Sequence, residues 1–266
     1  MGRRVGIFDS GVGGLSVWRE IVHQHPTLET CYVADQAHIP YGSRSAAAIL
    51  EHARGIVRYL ADNACSAIVV ACNTASAVAL RPLRAEFPHL RFVGMEPAVK
   101  PAAFSSRAKV IAVLATPATL DGELFAATVD RFAANAQVIR QPCPGLVEQI
   151  ETGDTEGKVL DPLLHRCLQS ALDAHADTIV LACTHYPFAR RRIQQIVGPH
   201  VQVIDPAPAV ARQVGRVVAA SPGATAAHEF CTTGSASEFE RVARRLLRQP
   251  LRARALRWDE GRLREA

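Results

Sequence analysis

Short apolar runs alternate with stretches of helical spacing along most of the chain, and the alternation occurs twice. Val5 to Phe8 is an apolar run that breaks at Asp9-Ser10-Gly11-Val12-Gly13-Gly14, after which Leu15, Trp18, Ile21 and Val22 recur at helical intervals. Further runs fill 30–34, 67–71 and 91–94, and over 46–61 Ile49, Ala53, Ile56, Val57 and Leu60 share one helical face. Unbroken apolar runs mark strands buried on both sides, and the wider period marks amphipathic helices. The pattern then restarts: 109–114, 137–140, 178–182 and 202–204 read as strands, with helices from near Asp121, over 162–174 and onward from 207. Each half closes on an acid and a proline, Glu96-Pro97 and Asp205-Pro206. Such alternation predicts an α/β fold of mainly parallel sheets flanked by helices, with right-handed crossovers. We expect two similar domains, residues 1–97 joined by 207–266, and residues 98–206, with the paired crossings as a hinge.

The second informative feature is a repeated phrase. Ile-Val-Val-Ala-Cys72-Asn73-Thr74 and Ile-Val-Leu-Ala-Cys183-Thr184-His185 each run from an apolar strand into a cysteine and then into polar residues. Open parallel sheets collect their ligands just beyond the carboxyl ends of strands. One thiol is therefore expected at the mouth of each half, the two meeting across a cleft. That arrangement suits a reaction in which one proton is taken and another given on opposite faces. A thiol is a base only as its thiolate, which needs a cation, a helix N-terminus or a positioned hydrogen bond. His185 stands two residues after Cys183 and is placed to supply one. Cys31, Cys65, Cys167 and Cys231 read as small buried apolar side chains.

Composition narrows the classes. The chain has 266 residues, 48% hydrophobic and 21% charged, which is ordinary for a globular protein of two domains. No run approaches the about 18 apolar residues of a membrane span. The first nine residues contain no long apolar segment of a secretory signal, and Gly6 stands where an N-myristoylation motif wants Ser or Thr. Seven cysteines without a C-x-x-C pair read as free thiols in the reducing cytoplasm, with no metal cage. The formal net charge of +5 raises the question of nucleic acid. Much of the excess lies among Leu, Val and Ala between Arg241 and Arg264, a solvated amphipathic helix and tail, and no nucleic-acid partner is expected.

The glycine turn at 11–14 has two readings. Between a strand and a helix it could cradle a phosphate, with Asp35 at the end of the second strand where a ribose-binding acid would stand. Its spacing is G-x-G-G, and Asp9 immediately before it would repel a pyrophosphate. The alternative is a tight turn that frees backbone N–H groups and Ser10 for a small carboxylate, with Asp9 beside a thiol or an ammonium. Pro40-Tyr41-Gly42-Ser43 is a turn by composition. Asn73, Thr74, Thr116, Thr119 and Thr184 supply neutral donors suited to a carboxylate. No lysine sits in a Schiff-base setting, and G-x-S-x-G is absent.

Together, Phe8-Asp9-Ser10-Gly11-Val12-Gly13-Gly14-Leu15-Ser16-Val17, Pro40-Tyr41-Gly42, Ala71-Cys72-Asn73-Thr74-Ala75-Ser76 and Cys183-Thr184-His185-Tyr186-Pro187 resemble the glutamate racemases, in order and spacing, over about 5–210. The resemblance implies two pseudo-twofold-related domains with the active site in the cleft between them, no cofactor, and interconversion of L- and D-glutamate for bacterial peptidoglycan. It implies that Cys72 works on the D face and Cys183 on the L face, that Asp9 assists the first thiol, and that His185 assists the second with Glu151. Ser10, Pro40, Tyr41, Gly42, Asn73, Thr74, Thr116, Thr119, Thr184, Asp9 and His185 would hold the substrate. A homodimer is implied too. Ala115 and Ala182 stand where many members have Gly, and the acids of the segment after Cys143, Glu148 and Glu151, are separated only by offset. A racemase acting on aspartate or a hydantoin is the nearest alternative, though the His after Cys183-Thr184 favours glutamate. A nucleotide-binding α/β module is the reading from a different class.

Overall fold

The computed structural model describes residues 4–218 and 226–266. Most of the leading Met-Gly-Arg-Arg, weighed above for export and acylation, lies outside the described residues. The strands are β1 (Arg4–Asp9), β2 (Thr30–Ala34), β3 (Cys65–Val70), β4 (Arg91–Gly94), β5 (Val110–Ala115), β6 (Gln137–Pro142), β7 (Thr178–Ala182), β8 (Gln202–Ile204), β9 (His228–Thr232), β10 (Ala253–Asp259) and β11 (Arg262–Glu265). The helices are α1 (Leu15–Gln24), α2 (Ala46–Asp62), α3 (Asn73–Glu86), α4 (Val99–Ser105), α5 (Pro117–Leu120), α6 (Glu123–Phe132), α7 (Leu146–Glu151), α8 (Leu160–Asp173), α9 (Arg190–Val197), α10 (Ala207–Val217) and α11 (Ala236–Leu247). Among the described residues no helix is long and apolar enough to cross a membrane.

The strands form two sheets, of order β11-β10-β9-β2-β1-β3-β4 and β6-β5-β7-β8. All neighbours pair in parallel except the β10–β11 hairpin. The inner order of the first sheet, β2-β1-β3-β4, is repeated by the whole of the second, with β1 matching β5 and β3 matching β7. This is the doubled α/β fold expected from the restarted pattern. β1, β2, β3, β5 and β7 are almost wholly buried, as their unbroken apolar runs require.

One apolar core joins the inner faces of both sheets, taking in Val5, Ile7 and Val69 from the first and Leu114, Ile179 and Leu181 from the second. Separate clusters fill the outer faces, beneath α2 and α3 in one half and α4 and α6 in the other. All seven cysteines are free and buried.

The C-terminal stretch departs from expectation. The helical part is real, α11, but β9 and the β10–β11 hairpin extend the first sheet beyond β2. The hairpin turns on Glu260 and Gly261, both at positive φ, 47° and 75°. That is the two-residue turn whose twist suits paired strands. Arg241, Arg244 and Arg245 lie on α11 as the helical reading expected, whereas Arg254, Arg257, Arg262 and Arg264 stand exposed along the strands of the hairpin.

Candidate active site

Four strand ends converge. Asp9 closes β1, Cys72 follows β3, Thr116 follows β5 and Cys183 follows β7, so the adjacent strands β1 and β3 of one sheet and their counterparts β5 and β7 of the other each deliver one face of a common cleft. A narrow cleft lies there, lined by Ser10, Pro40, Tyr41, Gly42, Cys72, Asn73, Thr74, Thr116, Val147, Ala182, Cys183, Thr184 and His185. Asp9, Thr119 and Glu151 stand behind this lining and bond to it. Val147 and Ala182 were not expected there; an apolar residue on a cleft wall carries no sequence signal separating it from core.

Cys72 caps α3, with the Ala75 amide donating to its sulfur at 3.5 Å. Burial pushes this thiol well up, the charge of Asp9 adds to the effect, and the Ala75 amide opposes both without prevailing. Cys72 therefore carries its proton at neutral pH. Asp9 is fully buried, accepting from the Gly11 amide (3.0 Å) and from Thr184 Oγ1 (3.2 Å). Burial raises its carboxyl, and the opposing charge of His185 only partly offsets that.

Cys183 has a different neighbour. His185 sets Nδ1 3.8 Å from the Cys183 sulfur and Nε2 2.6 Å from Glu151 Oε1. Burial disfavours the imidazolium, but the hydrogen bonds to Cys183 and Glu151 outweigh it and hold His185 well above its ordinary range. Glu151 is fixed in turn by the Val12 amide (2.7 Å) and Gln36 Nε2 (3.1 Å). The exposed Glu148 makes no such contact, so geometry separates the two acids.

In the glycine turn, Ser10 faces the cleft and Asp9 acts on Cys72, but two of the backbone amides expected to be free are engaged. The Gly11 amide is taken by Asp9 and the Val12 amide by Glu151, so these N–H groups are not free for a phosphate or a substrate carboxylate. The glycines are there for close approach. A Cβ on Gly13 would lie 2.3 Å from His185 Nδ1, and one on Gly11 would lie 2.1 Å from Glu151 Oε1. Asp35 likewise is not a free ribose acid, since Tyr41, His38, Thr233 and Trp258 donate to it. Tyr41 thus spends its hydroxyl away from the cleft and presents only its backbone and ring.

Free polar capacity remains on the lining. Asn73 is 4% exposed, yet neither Nδ2 nor Oδ1 has a partner among the described residues. Buried polar atoms are normally satisfied, so an orphaned amide on a cleft wall points to a ligand that completes it. Beside it the hydroxyls of Thr74, Thr116 and Thr119 form a triangle of 3.0, 3.3 and 3.1 Å that can turn its protons outward. Ser10 adds another hydroxyl. The set is suited to a small anion carrying hydrogen-bond donors of its own.

The family model for Asp/Glu/Hydantoin racemases matches residues 11–214. A glutamate racemase of Pseudomonas aeruginosa is 47% identical over 242 residues, 90% of this chain and 91% of its own. Among solved structures, a glutamate racemase isoform from Bacillus anthracis superposes with a TM-score of 0.86 at 28% identity, covering 97% of this chain and 98% of its own. The Escherichia coli glutamate racemase, solved with L-glutamate and the activator UDP-MurNAc-ala, gives a TM-score of 0.83 at 32% identity, with coverage of 94% and 96%.

Proposed function

The chain belongs to the Asp/Glu/Hydantoin racemase family, and we propose that it is a glutamate racemase in which Cys183 and Cys72 exchange protons with the α carbon from opposite sides. It is an isomerase that interconverts L- and D-glutamate and so supplies D-glutamate for peptidoglycan. The observation that carries the two-thiol reading is the contrast between the thiols. Cys72 is held protonated by burial and by Asp9, whereas Cys183 shares a proton-bearing imidazole with Glu151.

In the L to D direction, the Cys183 thiolate takes the α hydrogen of L-glutamate. Cys72 then gives its proton to the other face of the carbanion. The reverse direction begins with Cys72 as thiolate and Cys183 as thiol. Asp9 serves Cys72, and His185, oriented by Glu151, serves Cys183. The α hydrogen beside a carboxylate is far less acidic than a thiol, so the site must stabilise the doubly charged enediolate with aimed donors in a dry space. Asn73 and the hydroxyls of Ser10, Thr74 and Thr116 are the donors at hand, with Thr119 holding the threonine triangle, Thr184 lining the cleft while its hydroxyl donates to Asp9, and Pro40, Tyr41 and Gly42 closing one wall. Closure of two domains, divided near residues 97 and 207, would exclude water.

Racemisation in D₂O tests this directly. The wild type should take deuterium into the α position from either enantiomer, and Cys72→Ser or Cys183→Ser should lose racemisation by about a thousandfold, the scale of removing a general acid or base. Full turnover by either variant would end the two-thiol model. The proposal also includes a homodimer working in the cytoplasm; sedimentation at micromolar concentration and cell fractionation check these two points.

A further inference from the structure

A second buried network lies behind the wall of the cleft. Asp35, at the end of β2, is fully buried. Its Oδ2 accepts from Tyr41 Oη at 2.7 Å and His38 Nδ1 at 2.9 Å, and its Oδ1 accepts from Trp258 Nε1 and Thr233 Oγ1, each at 2.8 Å. A carboxylate without solvent needs such donors to remain charged. They come from three separate places: the cleft-lining loop 36–43, the turn after β9, and the C-terminal hairpin.

Asp35, His38 and His52 bring ligand atoms close enough together to hold one cation. The arrangement is not that of a metal site. Both Asp35 oxygens are already engaged, and the two imidazoles stack face to face at 3.7 Å, with Trp258 against both at 5.3 and 5.5 Å. It reads instead as a mechanical joint.

The joint connects the hairpin to the substrate wall. The loop presents Pro40, Tyr41 and Gly42 to the cleft. Tyr41 points its hydroxyl backwards into Asp35, and Asp35 is gripped from the far side by Trp258. Trp258 itself cannot shift towards α2, because the backbone at Gly55 meets it so closely that a Cβ there would lie 2.5 Å from the indole ring. The hairpin lies beyond the residues 11–214 matched by the family model. We propose that the C-terminal hairpin is part of the substrate-binding apparatus, with Trp258 a positioning residue that sets the cleft-lining loop through Asp35. The inference rests on the racemase reading above and adds to it a determinant of binding rather than of proton transfer.

The test is Trp258→Phe, which keeps the packed ring and removes the N–H. Losing one hydrogen bond to a buried carboxylate should raise KM for both enantiomers by roughly fivefold or more while kcat stays within about twofold, the signature of lost uniform binding. Arg264→Ala, which breaks only the surface ion pair with Asp259 in the same hairpin, should leave both constants alone. A second readout covers a variant that fails to fold. In Trp18→Phe protein the remaining indole is Trp258, and its emission should change on glutamate titration with a midpoint that tracks KM. An unchanged KM in folded Trp258→Phe overturns the inference, as does, where that variant does not fold, indole emission blind to saturating glutamate. A wild type that does not racemise glutamate at all would sink the racemase reading instead, so the two failures are distinct.

Discussion

Replacing Glu151 by Gln isolates the electrostatic part of the His185 relay. The amide keeps the shape of the carboxylate, and its carbonyl can still accept from the Val12 amide and from His185 Nε2, now 2.7 and 2.6 Å away. What disappears is the negative charge, together with the bond from Gln36 Nε2, which now faces an amide NH₂. A hydrogen bond to a charged partner is worth about 1.5–3 kcal/mol and a neutral one about 0.5–1.5 kcal/mol, so the imidazolium loses about 1–1.5 kcal/mol, or about one pH unit. The sign follows from the upward displacement of His185: burial opposes its charge, and Cys183 and Glu151 together restore it. Without the Glu151 charge, the ring gives up its proton at lower pH. The alkaline limb of kcat/KM, followed by polarimetry from either enantiomer, should therefore move down by about one unit, with near-normal rates on the acid side. Stability carries the same sign. The pair stabilises the fold fully below the ordinary histidine range and stops doing so as pH rises through the raised value. The melting-temperature deficit of Glu151→Gln should thus shrink towards alkaline pH. A rate loss uniform at all pH, with the alkaline limb unmoved, would refute the assignment of His185 as the charged partner of Cys183.

Other outcomes follow from the same contacts. Gly13→Ala places a methyl 2.3 Å from His185 Nδ1, so activity should fall roughly a hundredfold, the usual result of a displaced catalytic group, while the circular dichroism spectrum stays native. Asn73→Ala removes an unpartnered buried amide and should stabilise the free protein by about 1 kcal/mol in urea while raising the KM for glutamate at least tenfold; a destabilised variant would show that Asn73 is satisfied in the free protein. Asp177 accepts from Ser106 Oγ (2.6 Å) and the Arg107 and Ala108 amides (2.7 Å each). Although burial raises this carboxyl, those donors prevail and hold it below its ordinary range, so Asp177→Ala should cost about 1–2 kcal/mol near neutrality. That cost should vanish as the pH falls below the ordinary Asp range, because the wild-type contribution is present above that range and lost through the depressed value.

Much of this site was legible before any coordinates. Cys72 and Cys183 stand out because a buried strand that stops on a thiol and polar residues is rare as core and common as a sheet mouth. Ser10, Asn73, Thr74, Thr116 and Thr184 follow from the same logic, since each lies within a few residues of a strand end. The C-terminal hairpin did not stand out. Its arginines at 254, 257, 262 and 264 face water, and over so short a span a half-exposed strand and a charged helix look alike. Glu148 and Glu151 are likewise alike in one dimension, and only the turn of α7 decides that one meets His185 and the other meets solvent.

Local sequence fixes where strands end and which side chains stand at those ends, because burial on two faces imposes an unbroken apolar run and its interruption is visible. Contacts between segments far apart in the chain have no such trace. That Gly11 and Gly13 make room for Glu151 and His185 was decided by the packing of one half against the other, and that Tyr41 turns its hydroxyl into Asp35 and Trp258 holds Asp35 from across the sheet by packing within the first half. Those pairings depend on three-dimensional closeness at the ångström scale, which spacing along a chain does not record.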